Sequence, residues 1–306
     1  MGAVLITGTS SGIGEACVKR LSESGWKVYA GVRHTEDGER LLASLGGDVV
    51  PVILDVTNLE QIHDVLARID ADVGSLDGLV NNAGIGVGGV VETLSDDDWR
   101  WQMEVNFFSL VRLTRLAMPL VDKAGGRFVH IGSVAGRVGI GGLGPYAASK
   151  HAVSAFNWSL RCELGRNTKM RSSVVEPGAI RTAIRDKANV TMSTFDAELT
   201  GPLSDRYGFI LDFQRGFFDE GARRGVDADK VVKAVEHACR DLPRLARRCG
   251  DLRKGVRRGR DDGRRVSPSG GSQHVHQKPR RGPSTQDQLA TLVPKLLASG
   301  GERARR

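Results

Sequence analysis

The 306-residue chain has no apolar run near the roughly 18 to 20 residues that a helix needs to cross a bilayer. It shows no leader either. Gly2–Thr7 is short, lacks a basic start and runs straight into a glycine-rich turn, so it reads as a first strand. Cysteine is scarce: Cys17, Cys162, Cys239 and Cys249 are far apart, with neither a CxxC pair nor a Cys/His cluster. That spacing argues against a metal site and against a secreted disulfide framework. Reduced thiols, no metal and a cytoplasmic location are expected. His34, His63, His130, His151 and His237 lack ligand spacing and read as structural or surface groups, and Trp99 and Trp101 as packing residues. No internal repeat is present.

What the chain does have is an uneven charge. The whole is +8, yet residues 243–306 hold 17 Lys+Arg against 5 Asp+Glu, which leaves residues 1–242 mildly acidic. The basic character belongs to the C-terminal end, so no basic groove for specific nucleic-acid binding is indicated on the main body. Residues 253–288 are dominated by Arg, Gly, Pro, Ser and Gln. Such a stretch buries too little apolar surface to offset its ordering entropy. The expectation is one domain over 1–242 and a basic, low-complexity, disordered tail over 243–306.

Within 1–242, short apolar strands alternate with helical patterns. Strands are expected at Ala3–Thr7, Lys27–Val32, Val49–Leu54, Leu76–Val80, Arg127–Ile131 and Arg171–Val175. Helices are expected at Gly12–Ser24, Glu36–Leu45, Leu59–Ile69, Trp99–Val121, Tyr146–Leu164 and Ala228–Cys239. Strands joined by helical crossovers imply an α/β fold, a doubly wound parallel sheet covered on both faces. Residues 183–226 break this rhythm and carry Phe195, Phe209, Phe213, Phe217 and Phe218. Two readings stand: a peripheral helix with a core face, or a lid over an apolar substrate.

The first strand leads into Thr7-Gly8-Thr9-Ser10-Ser11-Gly12-Ile13-Gly14 and then a helix. Gly8 permits a tight turn, Gly12 lets backbone approach a pyrophosphate, and Gly14 allows close packing. The helix N-terminus offers N–H groups and a positive dipole end to phosphate. The strand–turn–helix context is what makes this a dinucleotide signature, a Rossmann fold, rather than a glycine-rich turn. NAD-binding folds place an acid at the end of the second strand. Here Val32 is followed by Arg33, whose planar donors suit a 2′-phosphate, with Ser11 placed to assist. NADP(H) is therefore favoured over NAD(H).

At this point the chain resembles the short-chain dehydrogenase/reductase family. The glycine pattern is Thr7–Gly14, Asn-Asn-Ala-Gly is Asn81–Gly84, Tyr-x-x-x-Lys is Tyr146 and Lys150, and Pro177-Gly178 precedes Thr182. The resemblance covers about residues 1–242. Lys27–Arg33 and Glu176–Thr182 look like the branch of hydroxysteroid and retinol dehydrogenases. It implies catalytic roles for Asn106, Ser133, Tyr146 and Lys150. It implies cofactor contacts from Gly8, Ser10, Ser11, Gly12, Ile13 and Gly14 in the first turn. Further contacts would come from Arg33, from Asp55 and Val56, from Asn82, Ala83 and Gly84, from Tyr146 and Lys150, and from Pro177, Gly178 and Thr182. It also implies that Asn106 holds a water linking Lys150 to solvent, and that the protein forms a homodimer or homotetramer.

Tyr146 and Lys150 are four apart on a helix and share a face. A phenol with a pKa near 10 needs help to act as a base. The ammonium and an oxidised nicotinamide are expected to favour the phenolate. Tyr146 then takes the hydroxyl proton in oxidation or donates it in reduction, while Ser133 holds the substrate oxygen. The expected substrate is an apolar carbonyl or alcohol of steroid, retinoid or lipid type. Singly, each residue has a plainer reading: a surface pair, a turn serine, a polar helix residue, a cap at Asp55, a solvated Arg33. Their order after an intact glycine motif favours the site. Two other functions compete, a catalytically silent NADP(H) sensor and charge-driven polyanion binding by the tail. In one respect the chain departs from its branch: a final apolar strand is due near 244–250, where the sequence is Arg-Leu-Ala-Arg-Arg-Cys-Gly. The seventh strand is thus in doubt, and residues from about 243 onward read as unrelated to the family, as a frameshift would leave them.

Overall fold

The structure, a computed structural model, describes residues 2–165, 168–181 and 199–240. Thr182, Phe195 and the basic tail, with its questioned seventh strand, lie outside the described residues.

Chain order is β1 (Ala3–Thr7), α1 (Gly12–Glu23), β2 (Lys27–Val32), α2 (Thr35–Ser44), β3 (Val49–Ile53), α3 (Leu59–Val73) and β4 (Gly78–Asn81). Then come α4 (Asp96–Met103), a π-helical turn (Glu104–Phe108), α5 (Ser109–Ala124) and β5 (Arg127–Ile131). A 3-10 turn (Val134–Gly136), α6 (Gly144–Leu164), β6 (Arg171–Val175) and β7 (Ile180–Arg181) follow. The last described elements are α7 (Pro202–Arg224), β8 (Val226–Asp227) and α8 (Ala228–Cys239). Six strands form one parallel sheet in the order β3-β2-β1-β4-β5-β6, and β7 pairs with β8 apart from it.

Each central strand is buried on both faces, which is why it reads as an unbroken apolar run. Alternation along β1 shows the two layers. Leu5 joins Tyr29, Leu79 and Phe128 beneath α3, α5 and α6, where Ile62, Leu113, Leu120 and Leu160 meet them. Val4 and Ile6 point the other way, to Val28, Val80 and Val129 beneath Cys17 and Leu21 of α1 and Val232 and Val235 of α8. Cys17 and Cys239 are free and buried in this layer, and burial pushes the Cys17 thiol up to about 12. His130 is fully buried and burial drags its pKa down to about 3, so it stays neutral beside the Asn81 amide, 3.1 Å away. Trp99 packs, its ring 3.3 Å from where a Cβ on Gly144 would stand, but Trp101, also expected to pack, is half-exposed.

Strand order reverses between β1 and β4, since β2 lies to one side of β1 and β4 to the other. The loops leaving β1 and β4 therefore diverge at their C-terminal ends and open a crevice, the usual ligand position in such sheets. The glycine turn after β1, Asn82–Gly84 after β4, Ser133 after β5 and Pro177-Gly178 after β6 all follow the C-terminal ends of these strands.

Candidate active site

The first-turn glycines are shaped for close approach. Gly8 and Gly12 have φ of 67° and 65°, a left-handed backbone that side chains rarely adopt. A Cβ on Gly8 would come within 2.8 Å of Ala83 Cα, while one on Gly12 would meet open space. A Cβ on Gly14 would strike the Gly8 carbonyl and stand 2.6 Å from Asn82 Nδ2. Gly14 thus packs α1 against the turn itself. Ser11 precedes α1 as its N-cap without a side-chain capping bond to the helix. The crevice is laced across by two residues. The Thr7 hydroxyl oxygen accepts from Asn82 N at 3.0 Å and Ala83 N at 2.9 Å. Asn82 Nδ2 donates back to the carbonyls of Thr7 and Gly8 at 2.8 and 2.9 Å.

Asp55 is half-buried beyond β3, and its Oδ1 accepts from Thr57 N and Thr57 Oγ1 at 2.8 and 2.7 Å. The cap of α3 is Asn58, so capping is not the role of Asp55. Val56 is buried behind it. Arg33 is exposed after β2, with no hydrogen bond or ion pair among the described residues. Arg40, which the sequence did not single out, reaches from α2 to the Ser10 carbonyl, to Glu15 Oε1 at 2.7 Å and to Asp37 at 3.6 Å.

The second half of the site gathers around α6. Tyr146 and Lys150 stand one turn apart on it. Ser133 ends the loop after β5, buried, and its oxygen accepts from Ala135 N at 3.1 Å. Its hydroxyl lies near enough to the Tyr146 phenol to bear on the phenol's titration. Lys150 is buried and donates through Nζ to the Ile131 carbonyl at 2.9 Å, its Nζ 5.7 Å from the Tyr146 ring centre. Burial pulls the Lys150 pKa down to about 8. Burial also raises the Tyr146 phenol, and the neighbouring Ser133 hydroxyl works the other way without overcoming it. Desolvation penalises the charged forms of both residues, so the shift on Tyr146 runs away from the expected phenolate rather than toward it.

Asn106 lies in the π-helical turn between α4 and α5, a local widening often found at functional sites. Its Oδ1 accepts from Ile85 N at 2.8 Å and its Nδ2 donates to Ile85 O at 3.0 Å and Ser149 Oγ at 3.1 Å. Gln102, one turn earlier, accepts from Val87 N at 2.7 Å and donates to Ile85 O at 3.0 Å. The two amides thereby hold the segment after Gly84. A Cβ on Gly84 would sit 3.2 Å from Asn106 Oδ1 and 3.7 Å from Lys150 Nζ, so glycine keeps a gap open between them. Gln102 was legible in hindsight only as the i−4 partner of Asn106.

Over the segment between Ser133 and Tyr146 lies α7. Ile210 Cδ1 is 3.0 Å from the position of a Cβ on Gly141, and the buried Gln214 donates to the Gly141 carbonyl at 2.8 Å. Glu92, beyond β4, accepts from Arg206 at 2.8 Å and Tyr207 at 2.6 Å. Phe213 stacks on Phe217, which meets Phe218 edge-on.

A parallel doubly wound sheet, glycines opening its first crossover and a serine, tyrosine and lysine converging at the switch point define a nucleotide-dependent oxidoreductase. The family described as short chain dehydrogenase matches residues 2–193. A 3-ketodihydrosphingosine reductase from Bacteroides thetaiotaomicron is 34% identical, over 76% of this chain and 81% of its own. Retinol dehydrogenase 16 of Mus musculus is 32% identical, over 77% of this chain and 76% of its own. Among solved structures, the closed form of serine dehydrogenase complexed with NADP+ aligns with a TM-score of 0.65 and 30% identity, covering 79% of this chain and 90% of that one. The chain belongs to the short-chain dehydrogenase/reductase family, in a retinol/steroid dehydrogenase-like branch, and is an NAD(P)-dependent dehydrogenase/reductase acting on carbonyl or alcohol groups. No helix among the described residues is long and apolar enough to cross a membrane.

Proposed function

We propose that the protein moves a hydride between NADP(H) and an apolar carbonyl or alcohol of steroid, retinoid or lipid type, with Tyr146 as general acid and base. The observation that carries this is the convergence of Ser133, Tyr146 and Lys150 beside the gap kept open by Gly84. The cofactor fits the residues present. Gly12 leaves room at the first turn of α1, and Gly8, Gly14, Asn82 and Ala83 shape the crevice wall. Ser10, Ser11 and Ile13 belong to the same turn, Asp55 and Val56 to the β3 end, and Pro177 and Gly178 to the β6 end. Bound there, the nicotinamide supplies or accepts the hydride.

The side chains supply the rest. Ser133 holds the substrate oxygen and steadies charge building on it. In reduction, the Tyr146 Oη proton passes to that oxygen as carbon receives the hydride. In oxidation, Tyr146 Oη takes the proton back. Lys150 keeps two N–H groups beyond its bond to Ile131 O, available to a ribose hydroxyl and to the phenol. Asn106 shapes this gap by fixing Ile85, and a water between its carbonyl and Lys150 would connect the ammonium to solvent. Arg33, exposed and unpaired among the described residues, is the 2′-phosphate partner that selects NADP(H). Apolar residues of α7 over the Gly141 segment favour an apolar substrate.

The test is loss of reduced-nicotinamide absorbance with NADPH and NADH over a panel of apolar ketones and aldehydes. NADPH-dependent turnover is expected, with kcat falling by at least about 100-fold in Tyr146→Phe, in line with general acid–base effects. Tight NADPH binding without turnover on any member of the panel would replace this reading with the sensor.

A further inference from the structure

Ser133 comes from the loop after β5, whereas Tyr146 and Lys150 come from α6. For the serine to meet the phenol, these two bodies must be held in register. Glu176, the first residue past β6, touches both. Its Oε1 accepts from Ser154 Oγ at 2.9 Å and from Arg137 Nε at 2.8 Å, and its Oε2 from the same Nε at 3.0 Å. Ser154 extends the Tyr146–Lys150 stripe by one more turn of α6. Arg137 closes the 3-10 turn that Ser133 begins.

The backbone reinforces the arrangement. Gly132 N donates to Val175 O at 2.8 Å and Val134 N to Pro177 O at 2.9 Å, so bonds on either side of Ser133 flank Glu176 itself. The loop has no space to spare. A Cβ on Gly132 would stand 3.1 Å from Glu176 Cγ, and one on Gly136 would stand 2.7 Å from the Lys150 carbonyl oxygen. Residues 132–137 are therefore pressed between β6 and α6, with one carboxylate bonded to each side.

We propose that Glu176 is a positioning residue, which sets the place of Ser133 relative to Tyr146 by clasping Arg137 and Ser154. The proposal rests on the roles given to Ser133 and Tyr146 above. Its energetic character is distinctive. The Arg137 side chain is 50% exposed, and ion pairs open to solvent contribute little stability. Geometry at a reacting centre is far less forgiving, since a misplacement of ~1 Å costs on the order of 100-fold in rate. Loss of Glu176 should consequently be felt in turnover much more than in unfolding.

The experiment uses the full chain with Glu176→Ala, Glu176→Gln, Ser154→Ala and Ser133→Ala. Readouts are kcat, NADPH affinity, the thermal midpoint and the 13Cζ signal of Tyr146 in tyrosine-labelled protein. The chain has 3 tyrosines, so Tyr146→Phe assigns the signal. Glu176→Ala should lower kcat by about 10-fold or more while NADPH affinity stays within about two-fold. The Tyr146 signal should move toward its position in Ser133→Ala. Glu176→Gln, which keeps an accepting oxygen, should recover much of the loss, and adding Ser154→Ala to Glu176→Ala should cost nothing further. A Tyr146 signal that stays in place in Glu176→Ala but moves in Ser133→Ala would overturn the proposal, as would a lower midpoint with unchanged kcat. Should the wild-type chain reduce no ketone, the reaction assigned above fails, and the Tyr146 signal still decides whether Glu176 positions Ser133.

Discussion

Lys150, proposed above to serve the reaction, weakens the fold that carries it. Its folded pKa of about 8 lies below the 10.5 of an unperturbed lysine because burial strips water from the ammonium. Between those values the unfolded chain binds more protons than the folded one, so this residue's contribution to stability rises as pH climbs from 8 toward 10.5. Below pH 8 the folded protein carries the whole penalty, ~3 kcal/mol from the size of the shift, less what the bond to Ile131 O returns. Lys150→Met should therefore abolish turnover yet raise the thermal midpoint at pH 6 to 7, with the advantage shrinking as pH passes 8. A variant less stable than wild type at every pH would mean that the Ile131 bond outweighs desolvation. Tyr146 shares the same low-dielectric surroundings, and burial favours its protonated phenol. In the proposed reaction, that state suits proton donation in the reductive direction.

At the scale of elements, most strands and α6 were legible because each has a local cause. β1, β2 and β5 end where their apolar runs do, since parallel strands buried on both faces cannot hide that pattern. Tyr146, Lys150 and the first-turn glycines follow from helix period and turn chemistry. The family resemblance pointed to Asn106, but nothing pointed to the π-helical turn around it. That widening answers to the backbone of Ile85, a partner remote in sequence. Glu176 and Arg40 were not singled out for the same reason, as the partners of each are set by what β6 and α2 bring beside them. The long helix expected over 99–121 accordingly appears as two helices joined by that turn. Arg33 and Arg40 also separate two effects that composition alone would merge. Arg33→Ala should weaken NADPH binding by about 1.5–3 kcal/mol, the range for a charged hydrogen bond, and leave NADH unaffected. Arg40→Ala frees the Ser10 carbonyl and uncovers Glu15 in the first turn of α1, so it should weaken both cofactors. Fluorescence titration of each variant with each cofactor checks the pair. Equal loss of NADPH and NADH affinity in Arg33→Ala would remove the 2′-phosphate assignment.

For the whole molecule, the question is what secures the last described helix over the first. α8 covers the sheet layer that α1 also covers, and Val232 and Val235 share that core with Cys17 and Leu21. The polar closure of this contact is Glu236. Its carboxylate takes Arg20 Nε at 2.7 Å, Ser24 Oγ at 2.8 Å and Arg240 at 2.8 Å, and its side chain is only 9% exposed. Burial alone would raise its pKa, yet the bonds from Ser24 and Arg20 and the charge of both arginines hold it below 4.5. A carboxylate depressed in the folded state stabilises above its unfolded pKa and loses that contribution as pH falls through the folded one. Glu236→Gln keeps shape and one acceptor but removes the charge, and should cost about 1–3 kcal/mol at neutral pH. Urea unfolding at pH 7 and near pH 4 tests this, and the gap between variant and wild type should narrow in acid. The residues that build the proposed active site lie at the crevice edge of the sheet, away from this clasp, so kcat should change little while the midpoint falls. A gap that stays constant with pH would mean that Glu236 acts through packing, and that the apolar layer alone joins the two ends of the domain.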